Sequence, residues 1–188
     1  MLYRIVRPLI FRLTQKDPEI AHELGLFCMQ IMGKYPVLAA GLRPRPTRML
    51  EQKILGLNFA HPLGLAAGFD KKGTALRGAE ACGFSFGEGG TVTLFGQKGD
   101  ERPRIHRFPN EGALTNHMSF PNDGAGIFRD NLQTHTRPRF PLGINIGKSK
   151  LVPLENALTE YKQLLAMLYV YGDFFVVNIS SPNTPGLR

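Results

Sequence analysis

The sequence predicts an α/β fold in which parallel strands alternate with helices, behind a separate N-terminal pair of helices. After residue 60, short apolar runs alternate with stretches of helical spacing, a pattern typical of βαβ units. Segment 174–177 is apolar at every position, as expected for a strand buried on both faces of a parallel sheet. We expect strands at residues 63–67, 142–146 and 174–179, with the end of a further strand at 90–93, and helices at 73–82, 122–135 and 154–170.

Composition limits the class of protein. The chain has 188 residues, a formal charge of +8 and 43% hydrophobic residues, which is enough for one domain with a real core. Its two cysteines, Cys28 and Cys82, fit no metal-ligand or disulfide pattern, so we expect no metal site and a reducing compartment. No apolar stretch approaches the roughly 20 residues of a membrane-spanning helix, and no signal peptide is recognisable.

The first 45 residues predict two amphipathic helices with basic flanks. Apolar side chains recur at helical spacing between residues 2 and 13. Asp17 reads as an N-cap with Pro18 at the first helical position, and the second stripe is Ile20, Leu24, Phe27 and Ile31. Eight of the first 50 residues are basic and three are acidic. This pattern favours an interfacial membrane anchor, and a helical hairpin packed on the same chain's core stays open as the alternative.

Two patterns in the later segments concern how a helix and a strand of the predicted sheet form. Leu154, Leu158, Tyr161, Leu165 and Leu168 share one face of a helix. In the second strand, Gly87 and Gly89 are expected to weaken β structure. No glycine-rich dinucleotide or P-loop motif occurs, so neither of those phosphate-binding folds is supported.

Polar residues cluster where the predicted strands end. They are Asp70, Lys71, Thr91, Thr93, Asn145, Asn178, Ser180, Ser181 and Asn183. Because active sites of parallel α/β folds lie at the carboxyl ends of strands, these side chains are candidates for one site.

Five segments, in this order, resemble a known family. They are Ala66–Lys71 (AAGFDK), Gly90–Thr93 (GTVT), Arg102–Arg104 (RPR), Gly143–Lys148 (GINIGK) and Asn178–Arg188 (NISSPNTPGLR). The chain resembles dihydroorotate dehydrogenase, and within it the membrane-associated, quinone-dependent class 2. Ser181 stands where class 1 enzymes have a cysteine, and class 1 lacks the N-terminal helical pair.

The resemblance implies a role for each matching residue. It makes Ser181 the catalytic base and dihydroorotate the substrate. The residues it assigns to FMN are Ala67, Gly68, Phe69, Asp70, Lys71, Thr91, Asn145 and Asn178. Those it assigns to the substrate are Lys71, Asn116, His117, Met118, Ser119, Phe120, Asn178 and Asn183. His22 and Arg107 match positions that line the quinone tunnel.

The resemblance also implies a (β/α)8 TIM barrel, preceded by the helical membrane anchor at residues 1–45. Such a barrel takes about 250 residues, so residues 46–188 are expected to supply about the first half of it. The implied activity is oxidation of dihydroorotate to orotate in pyrimidine synthesis, with a membrane quinone as electron acceptor. We expect a peripheral protein on the cytoplasmic face of a bacterial membrane, monomeric at full length and without a nucleic-acid partner.

Two other functions stay open at this point. One is a truncated, non-catalytic remnant of the family that at most associates with a membrane or another subunit. The other is a related FMN oxidoreductase acting on a different small cyclic substrate. The first is motivated by His117, Ser119 and Pro121, which stand where class 2 usually has Arg, Gly and Asn. Serine can be strained in a glycine conformation, and proline removes an N–H donor.

Overall fold

The computed structural model describes residues 2–14, 17–41 and 48–179, and their side chains from residue 6 onward. Three predicted site residues, Ser180, Ser181 and Asn183, lie outside the described residues.

The described elements follow the predicted order, with two hairpins added. The α-helices are α1 (Leu2–Leu13), α2 (Pro18–Lys34), α3 (Leu76–Ala81), α4 (Ala125–Thr134) and α5 (Ala157–Leu168). The strands are β1 (Gln52–Ile54), β2 (Leu57–Phe59), β3 (Leu65–Asp70), β4 (Gly87–Val92), β5 (Ile105–Phe108), β6 (Ala113–Asn116), β7 (Leu142–Gly147) and β8 (Phe174–Asn178). Short 3₁₀ turns are Pro36–Ala39, Arg48–Leu50, Leu154–Asn156 and Tyr169–Tyr171.

A four-stranded parallel sheet in the order β3-β4-β7-β8 forms the centre of the fold. This confirms the predicted α/β class. Between the sheet and helices α4 and α5 lies a hydrophobic core of Val92, Ala125, Phe128, Ile144, Ile146, Leu164 and Leu168. Strands β1 and β2, and β5 and β6, form separate antiparallel hairpins that the sequence analysis did not predict.

Helix α2 begins as predicted. The Asp17 carboxylate accepts hydrogen bonds from the backbone N–H groups of Glu19 (2.7 Å) and Ile20 (3.2 Å), and Pro18 occupies the first turn. These bonds satisfy N–H groups that have no partner within the helix. The local sequence therefore sets the start of this helix.

One side of α2 packs on α3 while its apolar stripe stays exposed. Leu9 and Leu13 of α1 are exposed, as are Ile20, Leu24 and Phe27 of α2. The helical pair thus combines features of both alternatives, since α2 docks on the chain's own core and keeps an apolar surface. Within the described part of the chain, no helix has the length and apolar character to span a membrane.

Strand β4 forms over six residues despite its glycines. An added Cβ would come within 3.2 Å of the Phe140 ring at Gly87 and 2.9 Å of the Phe128 ring at Gly89. These aromatic rings fill the space that β-branched side chains would otherwise occupy, so the strand keeps buried contacts on its helix-facing side.

Helix α4 begins at Ala125, so the prediction of a helix from residue 122 was wrong at its start. The Asn122 side-chain oxygen accepts N–H bonds from Thr93 (3.2 Å) and Gly124 (2.9 Å). Gly124 has φ +90°, which is outside the helical region. These contacts keep residues 122–124 as a connection between β4 and the helix.

Helix α3, which follows strand β3, is also shorter than predicted. Helix α3 starts at Leu76 and not at residue 73. The Asp70 carboxylate accepts backbone N–H bonds from Thr74 (3.1 Å) and Ala75 (2.6 Å). The residues between therefore form a turn.

The predicted burial of 174–177 on both faces was wrong, and burial on α5 does not follow its apolar face. On α5, Leu158 and Leu165 are exposed, and the buried side carries Glu160, Leu164 and Leu168. Val177 of β8 is 55% exposed, because β8 is an edge strand of the described sheet and is not covered on both faces.

Gly33 and Gly78 allow α2 and α3 to approach closely. A Cβ at Gly78 would overlap the backbone carbonyl of Met29, and one at Gly33 would come within 2.8 Å of the Gly78 nitrogen. Neither neighbour is a flexible side-chain end, so the helices would have to separate.

We predict that Gly78→Ala lowers the free energy of unfolding by about 1–3 kcal/mol, the usual cost of overpacking. Gly126→Ala in α4 is the matched control, because its Cβ would meet nothing within 4 Å, and it should be neutral or stabilising by up to about 1 kcal/mol. Urea unfolding measures both values. Equal effects of the two substitutions would contradict this account of the α2–α3 contact.

Candidate functional site

A cavity of about 350 Å³ lies at the carboxyl ends of β3, β4 and β8. Helix α2 and the β5–β6 hairpin supply its other walls. The lining residues are His22, Ala67, Gly68, Lys71, Thr91, Ile105, Leu114, Asn116, Met118, Phe120, Pro121 and Asn178. Its size is within the range of small-molecule sites, and the cavity brings together residues that the sequence assigns to three different roles.

Three predicted cofactor residues form one hydrogen-bond network. The Asn145 side-chain oxygen accepts bonds from Thr91 Oγ1 (2.6 Å) and Asn178 Nδ2 (3.3 Å). Asn178 Nδ2 also donates to Thr91 Oγ1 (3.1 Å). Asn145 itself lies behind Thr91 and Asn178, which line the cavity.

Glu88 fixes the orientation of this network, and the sequence analysis missed it. Asn145 Nδ2 donates to Glu88 Oε2 at 3.2 Å. Because a carboxylate accepts only, the amide of Asn145 must present its oxygen to Thr91 and Asn178. The sequence does carry a signal for this role, because Glu88 is a charged residue inside a glycine-rich strand that is otherwise buried.

Gly68 and Lys71 form the wall contributed by β3. Gly68 has φ +95° and open space where a Cβ would stand, so a flat group can approach the backbone there. Lys71 Nζ donates to the Gly68 carbonyl at 2.6 Å. Burial lowers the pKa of Lys71, nearby Arg104 lowers it further, and Glu19 and Asp70 oppose the shift.

Phe69 and Asp70 do not line the cavity, unlike Gly68 and Lys71 on either side of them in the chain. The Asp70 carboxylate is fully buried and accepts backbone N–H bonds from the loop before α3, so it builds the loop and does not line the cavity. The Phe69 ring packs edge-on against His22, with ring centroids 5.0 Å apart.

His22 brings α2 to the cavity. Burial lowers the pKa of His22, and the nearby Lys71 cation adds to this effect, while Glu23, Glu19 and Asp70 oppose it. The same wall of the cavity therefore carries two nitrogen bases, His22 and Lys71, whose pKa values are both lowered. The cavity lining holds no acidic side chain among the described residues, which suits an anionic or electron-rich ligand.

A buried ion pair holds α2 in this position. Arg104 donates to Glu19 Oε1 from Nε (3.0 Å) and Nη2 (2.6 Å). Both side chains are buried. The sequence analysis used Arg104 only as part of a family motif and missed Glu19, because no local pattern pairs residues so far apart in the chain.

Arg107 lies in a second, adjacent cavity of about 880 Å³ between α1 and the β5–β6 hairpin. Its guanidinium lies 4.9 Å from the centroid of the Phe11 ring, and Arg7 lies 5.1 Å from the same ring. Ile105 and Leu114 border both cavities. The two residues predicted for the quinone tunnel, His22 and Arg107, thus line neighbouring cavities.

The predicted substrate loop divides into two sets. Asn116, Met118 and Phe120 line the first cavity, whereas His117 and Ser119 point to Asp100. Ser119 Oγ donates to Asp100 Oδ2 at 2.8 Å, and His117 Nδ1 lies 3.6 Å from the same oxygen.

Ser119 adopts φ +54°, a conformation that costs a residue other than glycine about 1–2 kcal/mol. The expected strain at this position is present, and the Ser119–Asp100 hydrogen bond offsets part of it.

The fold and site define an α/β protein with a ligand cavity at the carboxyl ends of parallel strands, covered by N-terminal helices. Residues 49–188 match the dihydroorotate dehydrogenase family. A Gloeobacter violaceus protein named dihydroorotate dehydrogenase (quinone) is 48% identical over 189 residues, covering 100% of this chain and 52% of that protein. A Salinispora arenicola protein of the same name is 47% identical, covering 98% of this chain and 55% of its own length.

A solved structure agrees with these relatives. The crystal structure of DHODH from Eimeria tenella in complex with ferulenol has a TM-score of 0.77 and 34% identity, covering 92% of this chain and 46% of that one. The chain belongs to the dihydroorotate dehydrogenase family, and its α/β fold is of the TIM-barrel type. It spans about half the length of the curated relatives that it matches.

We predict that His22 titrates below the ordinary histidine pKa of about 6.5, because burial and Lys71 both disfavour its protonation. NMR titration of the imidazole protons measures this pKa. Lys71→Met should raise it by removing the cation, yet leave it below 6.5 because burial is the larger cause.

This lowered pKa also affects stability. Because the unfolded chain binds this proton more readily, the contribution of His22 reduces stability as pH falls through about 6.5. A His22 pKa at or above 6.5, or a further decrease in Lys71→Met, would contradict the described environment.

Proposed function

We propose that the chain forms the flavin- and substrate-binding part of a quinone-dependent dihydroorotate dehydrogenase. In this proposal dihydroorotate is oxidised to orotate, FMN accepts the hydride, and a membrane quinone accepts the electrons. The observation that carries it is the convergence in one cavity of Lys71, Thr91 and Asn178, whose side chains come from three different strand ends. The relatives named dihydroorotate dehydrogenase (quinone), which match nearly the whole chain, support the same function.

The residues present fit a flavin. Gly68 offers backbone that a flat ring can approach closely. Thr91 and Asn178 offer hydroxyl and amide groups already aligned by Asn145 and Glu88, and a preorganised polar set binds with little ordering cost. Of the other proposed FMN residues, Ala67 lines the cavity, whereas Phe69 and Asp70 would act by supporting the loop that carries Lys71.

Bound flavin would supply hydride acceptance and electron transfer, which no side chain provides. The Lys71 ammonium would stabilise negative charge near the ring and on the substrate carboxylate. Asn116, Met118, Phe120 and Asn178 would shape the substrate side of the cavity. His117 and Ser119 would contribute through the loop conformation that their contacts with Asp100 stabilise.

The catalytic base is proposed to be Ser181, with Asn183 as a substrate ligand, on the basis of the family motif alone. A serine hydroxyl is a poor base unless a neighbouring group or water removes its proton. Ser181 follows Asn178 by three residues, so the cavity end of β8 leads directly into the segment that carries it.

The exposed stripe on α1 and α2 supports membrane association. Leu9, Leu13, Ile20, Leu24 and Phe27 lie on helices with basic neighbours, a combination that binds membrane interfaces. We propose that these helices lie on a bacterial inner membrane at its cytoplasmic face. Quinone would then reach the flavin through the cavities lined by Arg107 and His22, without crossing water.

The proposed organisation keeps two units. Residues 1–45 form the membrane-associating segment, and residues 46–188 form about the first half of a (β/α)8 barrel. The non-catalytic remnant is not favoured, because relatives of one named activity match the chain from end to end at 40–48% identity.

We predict that Thr91→Val weakens FMN binding about tenfold, because it removes a cavity-lining hydroxyl that donates to Asn145 and accepts from Asn178, and leaves the two amides joined by their longer direct bond (3.3 Å). Fluorescence titration of FMN with the purified protein measures the affinity. Thr134→Val, at an exposed helix end where the hydroxyl donates to the Asp130 carbonyl, is the control and should bind FMN like the unsubstituted chain. Equal affinities for Thr91→Val and the control would argue against this assignment of the cavity.

A further inference from the structure

The β5–β6 hairpin carries two histidines on one face. His106 is the direct partner of Thr115 across the antiparallel pair, and the His117 N–H donates to the Arg104 carbonyl at 2.9 Å, which extends the pairing by one step. Because side chains on a strand alternate between faces, His106 and His117 are diagonal neighbours on the same face. The hairpin backbone therefore holds both rings in place.

The two rings approach each other through their Nε2 atoms, at the long end of hydrogen-bond distance. His106 Nε2 and His117 Nε2 are 3.4 Å apart, and the ring planes are inclined by 23°. Protein N–H hydrogen bonds are usually about 2.7–3.2 Å long. Two nitrogens bound to one tetrahedral Zn²⁺ at about 2.0–2.1 Å lie about 3.3 Å apart, so the observed separation matches a shared metal.

Asp100 lies behind one of the two rings. Its Oδ2 is 3.6 Å from His117 Nδ1, and its Oδ1 is 3.9 Å from Lys150 Nζ. A carboxylate behind the far nitrogen of a ligating histidine favours the ring orientation needed for metal binding. The His117 side chain is 44% exposed, which leaves room for water ligands.

We propose that His106 and His117 form a binding site for a divalent transition-metal ion of the Zn²⁺ class. Imidazole nitrogen suits Zn²⁺, Cu²⁺ and Ni²⁺, whereas Mg²⁺ and Ca²⁺ prefer oxygen. Over the described ranges, no group of three or more His, Cys, Asp or Glu side chains is placed to hold a metal. Two protein ligands completed by water make this an exchangeable site and not a structural one.

The site is separate from the proposed flavin cavity. Ile105, Leu114 and Asn116 line that cavity, and strand alternation places them on the other face of the hairpin from His106. His106 does border the second cavity, beside Arg107, but metal binding by the two imidazoles needs neither flavin nor quinone. A bound ion would link β5 to the segment after β6, and so restrain the start of the loop that carries Met118 and Phe120.

Isothermal titration of Zn²⁺ into chelator-treated protein without a histidine tag tests the site. We expect one ion per chain. Either His106→Gln or His117→Gln should abolish the binding, because one remaining imidazole cannot chelate. His135→Gln is the matched control, because the His135 ring lies at the end of α4 and contacts the Asn131 carbonyl; it should bind Zn²⁺ like the unsubstituted chain.

A second measurement keeps the test valid if a variant fails to fold. In the unsubstituted protein, Co²⁺ should broaden the NMR ring signals of His106 and His117 before those of His61 and His135. The proposal is overturned if the unsubstituted chain binds no Zn²⁺, if folded His106→Gln and His117→Gln variants bind it unchanged, or if Co²⁺ first broadens the other histidines.

Discussion

The buried ion pair between Glu19 and Arg104 determines how the helical pair meets the sheet domain. Arg104 donates twice to Glu19, and its Nη1 donates to the carbonyls of Lys98 (2.8 Å) and Asp100 (3.0 Å). Removing one partner of such a pair typically costs about 3–5 kcal/mol, since the other charge stays buried. The pair fixes α2 against the segment before β5, and this contact places His22 at the cavity and the β5–β6 hairpin beside α1.

The cavity depends on this docking for its electrostatic character. Lys71 follows β3 and His22 comes from α2. Burial lowers the pKa of both groups, the Lys71 cation lowers that of His22 further, and Arg104 lowers that of Lys71. Asp70, the acid nearest to Lys71 in the chain, is occupied by backbone N–H groups. The site therefore combines the Lys71 amine with a polar network of Thr91 and Asn178, an arrangement that fits an electron-accepting ring and an anionic substrate.

The features that the sequence predicted best are those set by residues close together in the chain. The α2 cap follows from Asp17 and Pro18, and strands β3, β7 and β8 follow from their apolar runs, whereas the glycine-rich β4 has no such run. The β1–β2 hairpin turns at Leu55 and Gly56, both with positive φ, and leucine gives no turn signal where Asn or Asp usually stands. The contacts of Asn122, Glu88 and Glu19 join distant segments, so no spacing pattern could reveal them. The family resemblance named most of the cavity residues, but it could not indicate that Ser119 and His117 turn to Asp100.

The flavin site is tested most directly by the visible spectrum of the purified, FMN-loaded protein after anaerobic addition of dihydroorotate. We expect that flavin is retained after removal of excess FMN and that the visible absorbance band of the oxidised flavin bleaches when dihydroorotate is added. Retained flavin that does not bleach would contradict the assigned substrate. A protein that retains no flavin would contradict the central claim that Lys71, Thr91 and Asn178 form a flavin site.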